Sequence, residues 1–241
     1  MKLRFAAAVF AGFLAACGSA HAATLQVSPV LIDVPAPGAA ASVTVANLSN
    51  DAVVAQVRVF KWIQKNGSDQ LVETKDVVVS PPIAKLKPNT KSVLRVVRRA
   101  KSAPNGEESY RIVIDQVPEK KRTRGAGISF AVRYSIPVFF GGINASEAPI
   151  IWEVGNKSGQ TTITATNAGS RRVRIADLKV KSGAGTVSFG KGLTGYVLPG
   201  ATVSWTADRA LKGLKQGGKV AISALTEHGP LQATGIIQGA Q

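Results

Sequence analysis

Cysteine and histidine are almost missing from this chain of 241 residues, which has one Cys and two His. Zinc centres and Ser- or Cys-based hydrolase sites draw on those residue types, so most metalloenzyme and triad chemistries are excluded at once. Gly-x-Ser-x-Gly is absent too, His228 stands beside Gly229 and Pro230, and the carboxylates are scattered, which leaves neither a triad nor a paired-acid site. No enzyme and no cofactor is expected. Aromatic residues are scarce at 6% and offer little for stacking bases. Acidic residues are also few, 14 against 30 Lys and Arg, for a formal charge of +16. Such an excess suits an anionic partner or plain solubility.

Long apolar runs are lacking as well. The longest, residues 5–16, spans about 12 residues, against the roughly 20 that a membrane-crossing helix needs. It follows Lys2 and Arg4 and precedes Ala20, His21 and Ala22, a small-x-small cleavage pattern. Residues 1–22 therefore read as a secretory signal peptide and no transmembrane segment is expected. A rival reading takes Leu14, Ala15, Ala16, Cys17 and Gly18 as a lipobox, with Cys17 acylated; it ranks second, since these are common signal-peptide residues. Cleavage after Ala22 removes the Cys and leaves His228 as the remaining His, with a charge of +14. Export places the chain in an oxidising compartment, away from nucleic acid, with packing alone to stabilise it.

What the chain does have is alternation of period 2. Residues 42–47, 56–62, 91–99 and 110–117 alternate apolar with polar side chains, and each is bounded by Asn, Asp, Gly or Pro. Gly38, residues 47–51, Asn66 and Gly67, Pro88 and Asn89, and residues 104–106 supply turns at the spacing of an immunoglobulin-like sandwich of about seven strands. No amphipathic helix of useful length appears. The strand signal stops at residues 142–147, a small flexible stretch taken as a hinge. Beyond it, residues 161–167, 171–180, 202–205, 219–225 and 231–237 resume the rhythm with more Gly. The expectation is an all-β chain: a first sandwich over residues 23–141 and a smaller one over 148–241, with no convincing sequence repeat between them.

The most informative segment is residues 128–140. Its even positions are Ile128, Phe130, Val132, Tyr134, Ile136, Val138 and Phe140, whereas the odd ones up to Ser135 are small or charged. A strand facing its own core would explain the pattern. The run is longer than the usual five or six residues, however, and it ends at the expected boundary. At a sheet edge, such a face would invite pairing from another chain. The basic run Lys120, Lys121, Arg122 and Arg124 just before it reads as a solvated loop, with steering of acidic partners as the functional alternative.

Pro81 and Pro82 with Leu86 and Pro88, then residues 92–96, then residues 108–112 with Val117 and Pro118, and finally the 128–140 strand resemble the periplasmic pilus-assembly chaperones in order and spacing. Residues 24–34 and 42–51 fit that family's first two strands. The resemblance covers the first half of the chain well and the second by size and composition. The run from Phe130 to Phe139 is most similar to the archaic branch, which serves spore-coat-U-type pili.

The resemblance implies two immunoglobulin-like β-sandwich domains at an angle, with a cleft between them, in the periplasm. It also implies pilin subunits as partners, held by donor-strand complementation and passed to an outer-membrane usher. The donated side chains map to Ile128, Phe130 and Val132, with Tyr134 as a fourth. In the better-known branch two basic residues anchor the subunit's C-terminal carboxylate, and Leu31 and Pro137 occupy those positions here, where neither can do so. Arg133 and Arg95 are the substitutes expected, with Arg98 in reserve because a one-residue register shift flips a strand's faces. Self-association of the free form would hide the exposed strand. The competing class is a secreted immunoglobulin-like adhesion or carbohydrate-binding module, which would keep its strand faces internal.

Overall fold

Eighteen strands and no helix make up the computed structural model, which describes residues 25–117, 131–142 and 144–238. The first ten strands form two sheets. One has the order β1-β3-β8-β6, built from β1 (Leu25–Ser28), β3 (Ala40–Asn47), β8 (Lys91–Arg98) and β6 (Val77–Ser80). The other has the order β2-β10-β9-β4-β5, from β2 (Ile32–Val34), β10 (Arg133–Phe140), β9 (Glu108–Val117), β4 (Val53–Lys65) and β5 (Ser68–Glu73), with β7 (Ile83–Leu86) also on β4. The opening segment thus changes sheets between Ser28 and Ile32. Inward residues of both layers, among them Leu25, Val43, Val45, Leu94, Ile112, Ile114, Ile136 and Val138, make one core.

The alternation read from the sequence is what builds these layers: β8 buries Leu94, Val96 and Arg98 and exposes Lys91, Val93 and Arg95. Asn66 and Gly67, with φ of 55° and 76°, close the β4–β5 hairpin in the left-handed conformation that such tight turns require. The Ser80–Pro81 bond, whose isomer the sequence leaves open, is cis.

The remaining strands are β11 (Ile150–Lys157), β12 (Gln160–Asn167), β13 (Val173–Ser182), β14 (Gly185–Ser188), β15 (Leu193–Val197), β16 (Thr202–Thr206), β17 (Lys219–Thr226) and β18 (Gly229–Ile237). They share one ladder of order β14-β13-β17-β18-β11-β12-β16, with β15 on β13, around a second core that includes Trp152, Ile163, Leu178 and Ile222. The short parallel pairing of β11 with β18 joins what would otherwise be two layers.

A repeated device marks both halves, although no repeat is expected from the sequence. Asn47 and Asn167, both fully buried, end β3 and β12. The Asn47 amide donates to Asp51 O at 2.8 Å and Lys87 O at 3.0 Å, and its oxygen accepts from Ser49 N. Asn167 donates to Arg171 O at 2.8 Å and Val197 O at 3.0 Å and accepts from Gly169 N. Each pins a turn to a distant strand; the shared signal is Thr-x-x-Asn, at Thr44 and Thr164. Asn167→Ala should cost about 1–3 kcal/mol, because its buried partner carbonyl would be left unsatisfied, and a urea titration of the variant measures that loss.

Candidate functional site

β10 has a covered end and an open one. β2 pairs with it only over Val138, Phe139 and Phe140, and β9 runs along its other side. Gln116 N donates to Val132 O, so by antiparallel alternation the even residues of β10 bond to β9 and the backbone of Arg133, Ser135 and Pro137 faces away. The bond from Gly141 N to Val34 O shows the same parity at the β2 end. Among the described residues no strand pairs with that side of β10 from Arg133 to Pro137. Proline fits there, since an edge position facing outward needs no N–H.

Side chains on the outer face of this sheet fall into rows set by the register. Arg133 lies beside Asp115 and Gln56, Ser135 beside Val113 and Arg58, and Pro137 beside Arg111 and Phe60. Phe139 and Ser109 continue the series next to Trp62. The first two rows together carry net positive charge. Arg58 and Arg133 both bind the single Asp115 carboxylate, Arg58 at 2.7 Å, and hold it below its usual pKa against the opposing effect of burial. These residues line a groove of about 550 Å³ that reaches Val132.

Arg111, opposite Pro137, reaches the middle of the open edge, where its guanidinium donates to Ser135 O at 3.5 Å. Its guanidinium stacks 3.8 Å from the Trp62 ring, and its one carboxylate neighbour, Asp69, is 3.9 Å away and half exposed. Burial pulls the Arg111 pKa down, and Asp69 only partly offsets this. A mostly buried cation with so weak a partner suits an incoming carboxylate.

The second half closes the far end of the face. Trp62, Phe139 and Tyr196 pack with ring centres 5.5–5.8 Å apart, sealed by Leu198 and Ala201. Gln64, near the end of β4, donates to Tyr196 O at 2.7 Å and accepts from Leu198 N at 2.8 Å, while Gly67 O accepts from Ser204 N. Arg172 reaches back to Asp33 at 2.6 Å and to Glu107, and stacks 3.7 Å from Phe139.

Not all of the expected site residues meet here. Ile128, Phe130 and the basic run at 120–124 lie outside the described residues. Val132 is half-buried at the mouth of the groove. Tyr134, expected as a fourth donated side chain, packs in the free chain against its own core, and its hydroxyl donates to Leu25 O. Arg95 and Arg133 are not brought together, because β8 neighbours β3 and β6 in the other sheet and not β10. Arg98 is buried and its guanidinium forks onto Glu108 at 2.7 and 2.8 Å, bonds that hold Glu108 below its usual pKa despite burial. It is a structural ion pair. Leu31 sits exposed between β1 and β2. Arg111 was missed because the position that matters, beside Pro137, is defined across strands; an Arg on the outward parity of residues 110–117 was the available signal.

Among the described residues, no group of His, Cys, Asp and Glu could hold a metal, and no helix is long and apolar enough to cross a membrane. Residues 24–141 match the family model described as Pili and flagellar-assembly chaperone, PapD N-terminal domain. Among solved structures, the chain is similar to the CsuC–CsuE chaperone–tip adhesion subunit pre-assembly complex from archaic chaperone–usher Csu pili of Acinetobacter baumannii. The match has 29% identity and a TM-score of 0.66 and covers 91% of this chain and 100% of that one. It also resembles the Salmonella enterica SafB chaperone in complex with SafA pilin (17%, TM-score 0.60, 89% and 98%) and the Pseudomonas aeruginosa CupB2 chaperone (17%, 0.55, 88% and 100%). No curated relative matches by sequence.

Proposed function

Because the chain belongs to the pili and flagellar-assembly chaperones, a non-enzymatic family, we propose that it captures pilin subunits on the open edge of β10 and passes them to an outer-membrane usher. The observation that carries this reading is the edge from Arg133 to Pro137, which no strand covers among the described residues, running beside a weakly partnered cation. Backbone groups at the edge supply the ladder for an added strand, and apolar side chains at Ile128, Phe130 and Val132 enter the subunit's open groove. Tyr134 stays with its own core. Arg111 takes the subunit's terminal carboxylate, at the level where Pro137 cannot, with Arg58 one row away and Arg133 two rows away as further positive charge. Arg95, on the other sheet, has no part in this. In the free protein the same edge is open to a second copy.

The two halves act as the family's two domains, with 142–147 as the joint, and residues 1–22 direct export to the periplasm, where chaperones of this family work. Its basic surface speeds encounter with acidic subunit or usher surfaces.

Co-purification from the periplasm with intact-mass measurement tests the reading: a second polypeptide of pilin size in fixed stoichiometry is expected. Arg111→Gln should weaken capture about tenfold to a hundredfold, as for loss of a charge-assisted hydrogen bond of about 1.5–3 kcal/mol, with little change in the melt. Arg95→Gln should capture normally. Equal capture by wild type and Arg111→Gln would place the anchor elsewhere, and no bound polypeptide in any form would overturn the chaperone reading.

A further inference from the structure

The outward face of β14, β13, β17 and β18 carries a second pattern, far simpler than the first. Register aligns Thr186 and Ser188 with Lys181 and Lys179, these with Ala221 and Ser223, and these in turn with Thr234 and Gln232; Lys219 stands opposite Ile236. The intervening residues Val180, Val187, Val220 and Ile222 point into the core. The residues so aligned are small and polar apart from the lysines and Ile236; the acidic residue on the same parity of β13, Asp177, accepts from Gly192 N at 2.8 Å. None of the three lysines has an ion-pair partner among the described residues. Glu153 on β11, beside Ile236, is bonded to Gln238 at 2.8 Å. The residues that contact the first half, Arg172, Tyr196, Leu198 and Ser204, are not part of this face.

We propose that this lysine face is a docking surface for an anionic lipid bilayer. The choice of occupant follows from the chemistry. Lysine is a compact, hydrated point charge on a flexible stem, suited to attraction without fixed geometry, whereas arginine would be expected for bidentate recognition of a protein or nucleic-acid partner. The aligned residues include no aromatic side chain of the kind that concentrates binding energy in protein interfaces. A row of small hydroxyl and amide side chains with ammonium groups above it matches a laterally fluid negative surface. Ile236, 41% exposed, adds an apolar contact at the headgroup level. At about fivefold per lysine, three contribute roughly a hundredfold in partitioning. That is enough to bias where the protein resides and too little to anchor it. The surface is distinct from the β10 edge, so the proposal stands apart from subunit capture.

Sedimentation of the mature protein with vesicles tests it, comparing phosphatidylglycerol–phosphatidylcholine mixtures with phosphatidylcholine alone. The triple variant Lys179→Gln, Lys181→Gln, Lys219→Gln should lose about a hundredfold in binding to the anionic vesicles. A control of equal charge change, Lys75→Gln, Lys85→Gln, Lys101→Gln, should lose less than about threefold, and all of the binding should fade with added salt. Equal losses from the two triples would overturn the proposal, since net charge alone would then be responsible. Equally tight binding to the neutral vesicles would also overturn it. Thermal melts of both triples confirm folding, which exposed Lys to Gln changes leave intact.

Discussion

Phe130→Ser is expected to weaken subunit capture about tenfold to a hundredfold while leaving the melting temperature of the free protein unchanged. A fully buried apolar side chain is worth roughly 1.5–3 kcal/mol, and each 1.4 kcal/mol is a decade in affinity. If Phe130 is buried only in the complex, the whole loss falls on binding. Ile136→Ser, six residues along the same parity, is the contrast. Ile136 is 2% exposed within the chain's own core, so its truncation should cost about 2–5 kcal/mol of folding stability. Thermal unfolding and subunit binding, measured on both variants, separate the two roles. A large drop in melting temperature for Phe130→Ser, with binding lost only in proportion to unfolded protein, would show that it belongs to the core. Val132→Ser should behave as Phe130→Ser does, and Ser129→Ala should leave capture nearly intact.

The second large effect is expected at Arg172. This side chain is 6% exposed and binds both Asp33 and Glu107, and the Glu107 side chain is itself 2% exposed. Arg172→Met leaves a buried carboxylate without its partner, at a cost of about 3–5 kcal/mol. Glu107→Gln added to Arg172→Met should recover much of that loss, because the stranded charge is then gone. The pH dependence has a definite sign. Burial pushes the Glu107 pKa up, with Arg172 opposing it. A carboxyl whose folded-state pKa is raised contributes stability that is present below its unfolded value and is lost as pH rises through the folded one. Without Arg172 that rise is larger, so the deficit of the variant should shrink on acidification through the carboxylate range and be full near pH 7. A deficit independent of pH would indicate lost packing against Phe139 instead.

Much of this architecture is legible in the sequence where one face of a strand is buried and the other wet. The alternations at 42–47 and 91–99 correspond to β3 and β8, and the Asn66–Gly67 turn stands where the sequence puts it. β11 has no such signature: Ile150 and Ile151 put apolar residues on both parities, and Ile151 is 57% exposed. β5 is exposed at every residue and exists because the hairpin holds it against β4. The site was harder to read than the strands. Alternation says which residues share a face of one strand, but not which strands are neighbours. Arg95 and Arg133 therefore looked adjacent while lying in different sheets. Arg111, part of a strand that was read correctly, is important only through its place opposite Pro137.

The β4–β5 hairpin has a consequence for the order of events during synthesis. Gln64 meets Tyr196 across 132 residues of sequence, and Arg172 meets Asp33 across 139. Closing separations of that length costs more chain entropy and takes longer than pairing adjacent strands. The ladders of the N-terminal sandwich therefore have time to form while Trp62 and Phe139 still lack the cover of Tyr196, Leu198 and Ala201. The cleft is completed only when the last third of the polypeptide arrives, so a half-made molecule has the edge of β10 but not yet a finished place to seat a client.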